Sequence, residues 1–206
     1  MKVLGLVLAG GQSSRMGNDK AMLEIDGETM LARSQKLLRA CEVAKVVVSR
    51  NDGELDSLAD MIPNKGPLSG IHSALHHYLD YDLLIIPVDL PLLNAKSVKR
   101  LIALAQKEKL NTCFRSEQFA GATTKGVAAK TSKDNKSHEG MHFPIYLRNT
   151  PPVRDELSHV LVNTQKYSVF TFFKQFEHKT VRPLKPYELI NVNSEAQWQQ
   201  IVGFFK

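Results

Sequence analysis

The chain has 206 residues, 43% of them hydrophobic, with two cysteines and a formal net charge of +6. That length supports one substantial core and, as a prior, one domain; no apolar run approaches the roughly 18 residues that cross a bilayer, and two cysteines do not make a disulfide framework. The basic balance suits an anionic substrate, yet much of the excess lies between Lys99 and Lys136, where a solvated lysine-rich surface accounts for it. That region has no repeating alternation of basic and aromatic residues of the kind that stacks on bases, so neither nucleic acid nor membrane is an expected partner.

In chain order, Lys2 to Leu8 reads as a first β-strand; its apolar part is too short for a secretory leader and runs into a charged loop, which predicts a cytoplasmic protein. The loop carries Gly10, Gly11 and Gly17 together with Arg15 and Lys20. Glycines let backbone N–H groups approach an anion, and Arg and Lys supply the compensating charge. It has neither the Gly-Lys-Ser/Thr of a P-loop nor the G-x-G-x-x-G of a dinucleotide fold, so it is a third kind of phosphate loop, or else a tight turn.

Next come a helix over about Thr29 to Cys41, with Met30, Leu37, Leu38 and Cys41 at helical spacing, and a β-branched strand at Lys45 to Ser49. A turn around Asn51 to Gly53 leads to a short extended piece near Asp60 to Ile62. A helix then opens at Gly66 to Gly70 with Ser69 as N-cap and runs to about Leu79, burying Ile71, Leu75, Tyr78 and Leu79. Tyr81 to Val88 is nearly continuous in apolar residues, the mark of a parallel strand covered on both faces, and it ends at Asp89. A helix over Ala95 to Glu108 and a strand at Thr112 to Arg115 follow. The alternation predicts an α/β fold: one Rossmann-like open, mostly parallel sheet with helices on both faces. Ligands in such sheets bind beyond the carboxyl ends of the strands, which is where the glycine loop, Ser49, Arg50, Asp60 and Asp89 all fall.

Residues 117–141, rich in Gly, Ala, Thr, Ser and Lys, read as a long mobile loop before the sheet resumes at Phe143 to Leu147. The H-E-x-x-H pattern at His138 to His142 needs a helix to become a zinc site, and Gly140 and Pro144 argue against one. His72 and His76, four apart on a helix, have no third ligand in view and read as packed or surface histidines. Cys41 and Cys113 read as small buried hydrophobes, and the phenylalanines from Phe170 to Phe176 as core. At the C-terminus, Asn191 and Asn193 precede Ser194 and Gln197, a capping box, and a last helix with Trp198, Ile201, Val202 and Phe205.

The order L-A-G-G, Arg15-Met16-Gly17, Asp19-Lys20, with G-P-L-S-G at Gly66 to Gly70, P-V-D-L-P at Pro87 to Pro91 and N-V-N-S-E from Asn191, resembles the nucleotidyltransferase superfamily and within it the molybdenum cofactor guanylyltransferases. The resemblance implies transfer of GMP from GTP to the terminal phosphate of molybdopterin, with Mg²⁺ as cofactor and GTP and molybdopterin as substrates; cofactor-insertion proteins or molybdoenzyme chaperones would be the protein partners. It implies that Leu8, Ala9, Gly10 and Gly11 contact the nucleotide, that Arg15 and Lys20 offset phosphate charge, that Asp89 holds the metal and that Asp60 assists nucleotide recognition. Asn191 and Asn193 would hold the pterin, or else serve turn chemistry; Asp60 has a structural carboxylate as its alternative, and Asp89 a helix cap. Ser49 stands where the family often has asparagine. Two other readings stay open: a nucleotidyltransferase that uses CTP or a sugar phosphate, and a non-catalytic GTP- and cofactor-binding adaptor.

Overall fold

The strand β1 (Lys2–Leu8) carries Leu4, Leu6 and Leu8 toward one hydrophobic cluster and Val3 and Val7 toward another, the period-two signature of a strand covered on both sides. In the computed structural model, which describes residues 1–10, 19–51, 57–116, 140–164 and 168–205, β1 pairs in parallel with β4 (Lys45–Ser49) and β6 (Tyr81–Pro87). The sheet has seven strands in the order β5-β4-β1-β6-β8-β7-β9, completed by β5 (Ser57–Leu58), β7 (Asn111–Arg115), β8 (Met141–Leu147) and β9 (His178–Val181). β8 runs antiparallel to both its neighbours, and the other pairings are parallel. A separate small hairpin, β2 (Glu24–Ile25) with β3 (Glu28–Thr29), leads into the first helix.

Helices cover both faces, as the alternation predicts. On one side α1 (Met30–Ala40), α3 (Ala95–Glu108) and α6 (Glu195–Val202) pack over Val3, Val7, Leu84 and Ile86. On the other, α2 (Pro67–His77), α4 (Pro151–Asn163) and α5 (Val169–Phe173) cover Leu4, Leu6, Leu83 and Ile85. The phenylalanines are core, with Phe172 and Phe173 fully buried, and Ser168 caps their helix through a bond from Thr171 N. Cys41 and Cys113 are buried free thiols, pushed by burial up to about 11 and about 12.

Several expectations need correction. Ser69 is not an N-cap: the cap is Gly66, at φ 65°, a left-handed conformation that costs glycine little, and Ser69 lies inside α2 with its hydroxyl accepting from Lys65 N. Leu79 lies beyond the end of α2 and is exposed rather than buried. The extended piece is Ser57–Leu58, not Asp60 to Ile62, of which Met61 and Ile62 form a bend. The helix α4 was not expected, although Pro151 and Pro152 at its first turn, followed by Val153, Leu157, Val160 and Leu161, carry a helix start and a helical stripe. Of the long loop, residues 117–139 lie outside the described residues; β8 already begins at Met141, and His142 sits on that strand, bonded to Ser116 Oγ at 2.9 Å.

Two features make measurable statements about stability. A Cβ on Gly70 would lie 1.9 Å from Ser49 Oγ and 2.8 Å from Ser49 Cβ, so G-P-L-S-G ends in glycine because α2 rests on the end of β4 there. Gly70→Ala should destabilise the fold by about 1–3 kcal/mol, and Ser49→Gly in the same chain should restore most of it; a Gly70→Ala variant as resistant to urea as the parent would contradict this contact.

Between α2 and α4, the Nε2 atoms of His72 and His76 lie 3.0 and 3.3 Å from Ser158 Oγ, which itself donates to Arg154 O at 2.9 Å. With that hydroxyl proton spent, both imidazoles must donate through Nε2–H, and His72 Nδ1 is left buried and unpaired. Burial first, and the His76 charge second, lower His72 from 6.5 to about 4. The unfolded chain therefore binds a proton that the folded chain refuses. The contribution is present above about pH 6.5 and is lost as pH falls toward 4, by at most about 3 kcal/mol. Urea midpoints measured at about pH 7 and pH 5 should fall on acidification; His72→Gln should reduce the slope.

Candidate active site

From β1 the chain passes through α1 to β4 on one side, then returns through α2 to β6 on the other. The strand order thus reverses at β1, and a crevice opens beyond its carboxyl end. Leu8 is paired with Ser49 and with Pro87, and the two neighbouring strands are held to it just past its end: Ala9 N donates to Ser49 O at 3.2 Å and Val88 N to Leu8 O at 3.1 Å. Gly10 is exposed at this rim. Gly11 and Arg15 lie outside the described residues.

The chain next appears at Asp19, whose carboxylate caps a 3-10 turn over Lys20–Met22 by accepting from Ala21 N at 3.0 Å. Its second oxygen pairs with Arg50, just past the end of β4. Asp19 is thereby tied to the sheet edge, and Lys20 directly after it is aimed across the crevice. The Lys20 ammonium donates to Val192 O at 2.9 Å and Asn193 Oδ1 at 2.7 Å.

Asp89, two residues beyond β6, completes the group. Val192 N donates to Asp89 O at 3.0 Å, so the N-V-N segment is bonded to both Lys20 and the Asp89 backbone. Desolvation raises the Asp89 carboxyl above the ordinary carboxylate range, and Lys20 and a backbone N–H pull it partly back. Lys20, Asp89 and Asn193, far apart in sequence, meet at one edge; Asn191 is exposed beside them.

The other expected residues fall at the same edge with different partners. Asp60 is bound by Asn51, whose amide donates to Asp60 Oδ2 at 2.7 Å while its Oδ1 accepts from Asp60 N at 2.9 Å. Ser49 is buried against Gly70 of α2, with its hydroxyl turned into that contact. Ser194 Oγ accepts from Gln197 N at 3.3 Å, but the Gln197 side chain returns to Asn193 N at 2.7 Å, so the expected capping box is displaced by one residue.

The donor set is suited to a triphosphate and a divalent ion. An ammonium faces a desolvated carboxylate whose charge it only partly offsets. Among the described residues no three His, Cys, Asp or Glu side chains cluster as a metal cage. An ion held by one carboxylate, water and phosphate oxygens needs no such cage. The sequence reading missed the Asp19–Arg50 pair, because no spacing rule links residues 31 positions apart.

Solved nucleotidyltransferases share this fold. The chain superposes on molybdopterin-guanine dinucleotide biosynthesis protein A from Archaeoglobus fulgidus with a TM-score of 0.71 at 15% identity, over 98% of this chain and 97% of that one. The match to 2-C-methyl-D-erythritol 4-phosphate cytidylyltransferase from Thermus thermophilus has a TM-score of 0.69 at 14% identity, covering 100% and 99%. Residues 5–132 match the MobA-like NTP transferase domain. A molybdenum cofactor guanylyltransferase of Xanthomonas euvesicatoria pv. vesicatoria (strain 85-10) is 31% identical over 202 residues, 96% of this chain and 93% of that protein. The chain belongs to the MobA-like NTP transferase family, as the L-A-G-G, Asp19-Lys20 and N-V-N segments implied.

Proposed function

We propose that this chain transfers GMP from GTP to the terminal phosphate of molybdopterin, or of its molybdenum-bound form, and releases pyrophosphate. The observation that carries this reading is the meeting of Lys20 and Asp89 with the Val192–Asn193 segment at the carboxyl end of β1 and β6.

A phosphate oxygen of the acceptor attacks the α-phosphorus of GTP; the new P–O bond forms as the bond to the β-phosphate oxygen breaks, and that oxygen leaves with the electron pair in pyrophosphate. The nucleophile is already an anion, so no general base is needed. What the protein supplies is in-line placement and neutralisation of charge. The rim of the crevice at Ala9 and the exposed Gly10 lies against the nucleotide, with Leu8, Gly11 and Asp60 contributing to its recognition. Lys20 and Arg15 offset charge on the phosphates and on the departing pyrophosphate. Asn191 and Asn193 hold the pterin beside Lys20.

The half-buried Asp89 carboxylate fits Mg²⁺, which takes one or two carboxylates together with phosphate oxygens and water. Bound there, the ion would draw charge from the triphosphate and screen it from the incoming phosphate. A desolvated carboxylate gains more from a divalent cation than a solvated one would. No helix among the described residues is long and apolar enough to cross a membrane.

The test is pyrophosphate release by the purified chain with Mg²⁺ and molybdopterin, with GTP, CTP and UTP compared. Release with GTP alone among the three is expected. Release with CTP would move the reading to a cytidylyltransferase, and GTP binding without release would make the chain an adaptor for the cofactor.

A further inference from the structure

Glu188 is a carboxylate that the reaction does not use, yet it is 1% exposed. Its Oε1 accepts from Ser97 Oγ at 2.9 Å and from Lys185 N at 3.0 Å, and its Oε2 accepts from Asn94 N at 3.3 Å. Ser97 Oγ in turn accepts from Leu184 N at 2.8 Å. The carboxylate thus sits at the amino end of α3, where the helix dipole favours a negative charge, and knots that end to the chain at Leu184 and Lys185.

The position of this knot relative to the crevice is what gives it meaning. The loop from Asp89 to Asn94 joins β6 to α3 and carries Asp89 near its start. The C-terminal segment holds this loop at both ends: Glu188 grips Asn94 and Ser97, and Val192 N grips Asp89 O. Between the two grips lie only Leu189, Ile190 and Asn191, with Ile190 N turned back onto Tyr187 O at 3.1 Å. Too little chain remains for Val192 and Asn193 to drift once Glu188 is fixed, and these are the residues that receive the Lys20 ammonium.

We propose that Glu188 is a positioning residue: anchored on α3, it sets the placement of Val192 and Asn193 against Asp89 and Lys20, and through them the seat of the phosphate-bearing acceptor. The acceptor role rests on the function proposed above; the anchoring does not. Asp89 is also held from the sheet, through Val88 N to Leu8 O at 3.1 Å, so the nucleotide side of the crevice does not depend on Glu188 alone.

The experiment uses Glu188→Ala and Glu188→Gln in the full chain. Three donors converge on the carboxylate; Ala leaves all three unmet, whereas Gln keeps an acceptor for Ser97 and Lys185. In the ligand-free protein, amide exchange at Val192 should accelerate about tenfold or more in Glu188→Ala while the amides of β1 and β6 are unchanged. In the pyrophosphate assay with Mg²⁺ and GTP, the KM for molybdopterin should rise about tenfold or more while the Kd for GTP moves less than about twofold, and Glu188→Gln should recover most of both effects. Unchanged Val192 exchange overturns the proposal, as does an equal loss in GTP and molybdopterin binding, which marks a general loosening. If the parent chain releases no pyrophosphate with molybdopterin, the functional reading fails, and Val192 exchange still decides the anchor on its own.

Discussion

Asp89→Asn is expected to lower pyrophosphate release by at least about a hundredfold, the loss of a few kcal/mol of charge stabilisation at the triphosphate, while the folded chain stays intact. The stability effect has the opposite sign. The Asp89 carboxyl is raised above its ordinary value in the folded chain, chiefly by desolvation. The folded state therefore holds that proton more tightly than the unfolded one, and the ionised carboxylate at neutral pH works against folding. Asparagine removes that charge, so Tm at neutral pH should hold or rise. A variant both inactive and several degrees less stable would place Asp89 in the scaffold instead.

The same residue makes a statement about pH. If Asp89 holds Mg²⁺ as proposed, a proton and the metal would compete for the same oxygens, so at low Mg²⁺ the acid limb of activity should lie above the ordinary carboxylate range. It should move to lower pH as Mg²⁺ is raised. An acid limb that ignores Mg²⁺ would separate the titrating group from the metal.

Lys20→Met should lower turnover by about a hundredfold, the scale seen when a preorganised donor to a developing charge is removed. It has a second consequence that a mere loss of charge on a surface would lack. Lys20 pulls the Asp89 carboxyl down, so its removal leaves desolvation less opposed and should shift the acid limb of the remaining activity to higher pH. Lys20→Arg keeps the charge, but its planar fork does not reproduce a compact ammonium shared between Val192 O and Asn193 Oδ1, and partial rescue is expected. An unmoved acid limb in Lys20→Met would mean that the two residues do not act on one another.

The central elements of the fold are legible in the sequence for a physical reason. β1, β4 and β6 are apolar on both faces because helices cover both, and a doubly covered strand has no polar face to confuse the pattern. The Ala95–Glu108 helix shows equally plainly, with its apolar stripe and its cap at Asn94. Pieces that escaped the reading depend on information the local pattern does not hold. β5 has only two residues and exists through its pairing with β4. Ser69 has the chemistry of an N-cap, but burial under the sheet edge places it inside the helix, where the positive φ of Gly66 makes the turn instead. For α4 the signal was present in the Pro-Pro start and the spacing from Val153 to Leu161.

At the site, residue types and their order along the chain announced Gly10, Lys20 and Asp89, since each follows a strand or its loop at the carboxyl edge. Their partners were not announced. That Lys20 bonds the N-V-N segment, that Asp19 is tied to Arg50 and that Glu188 is buried under α3 follow from packing across more than 30 residues of chain, which no local spacing encodes.

The most direct measurement is a crystal structure of the chain with Mg²⁺ and a non-hydrolysable GTP analogue. The expected result is a metal ion about 2.1 Å from an Asp89 oxygen, with its remaining positions on phosphate oxygens and water, the Lys20 ammonium on the same phosphates, and the Ala9–Gly10 backbone against the nucleotide. A triphosphate bound away from the carboxyl end of β1, or a metal ion with no ligand from Asp89, would contradict it.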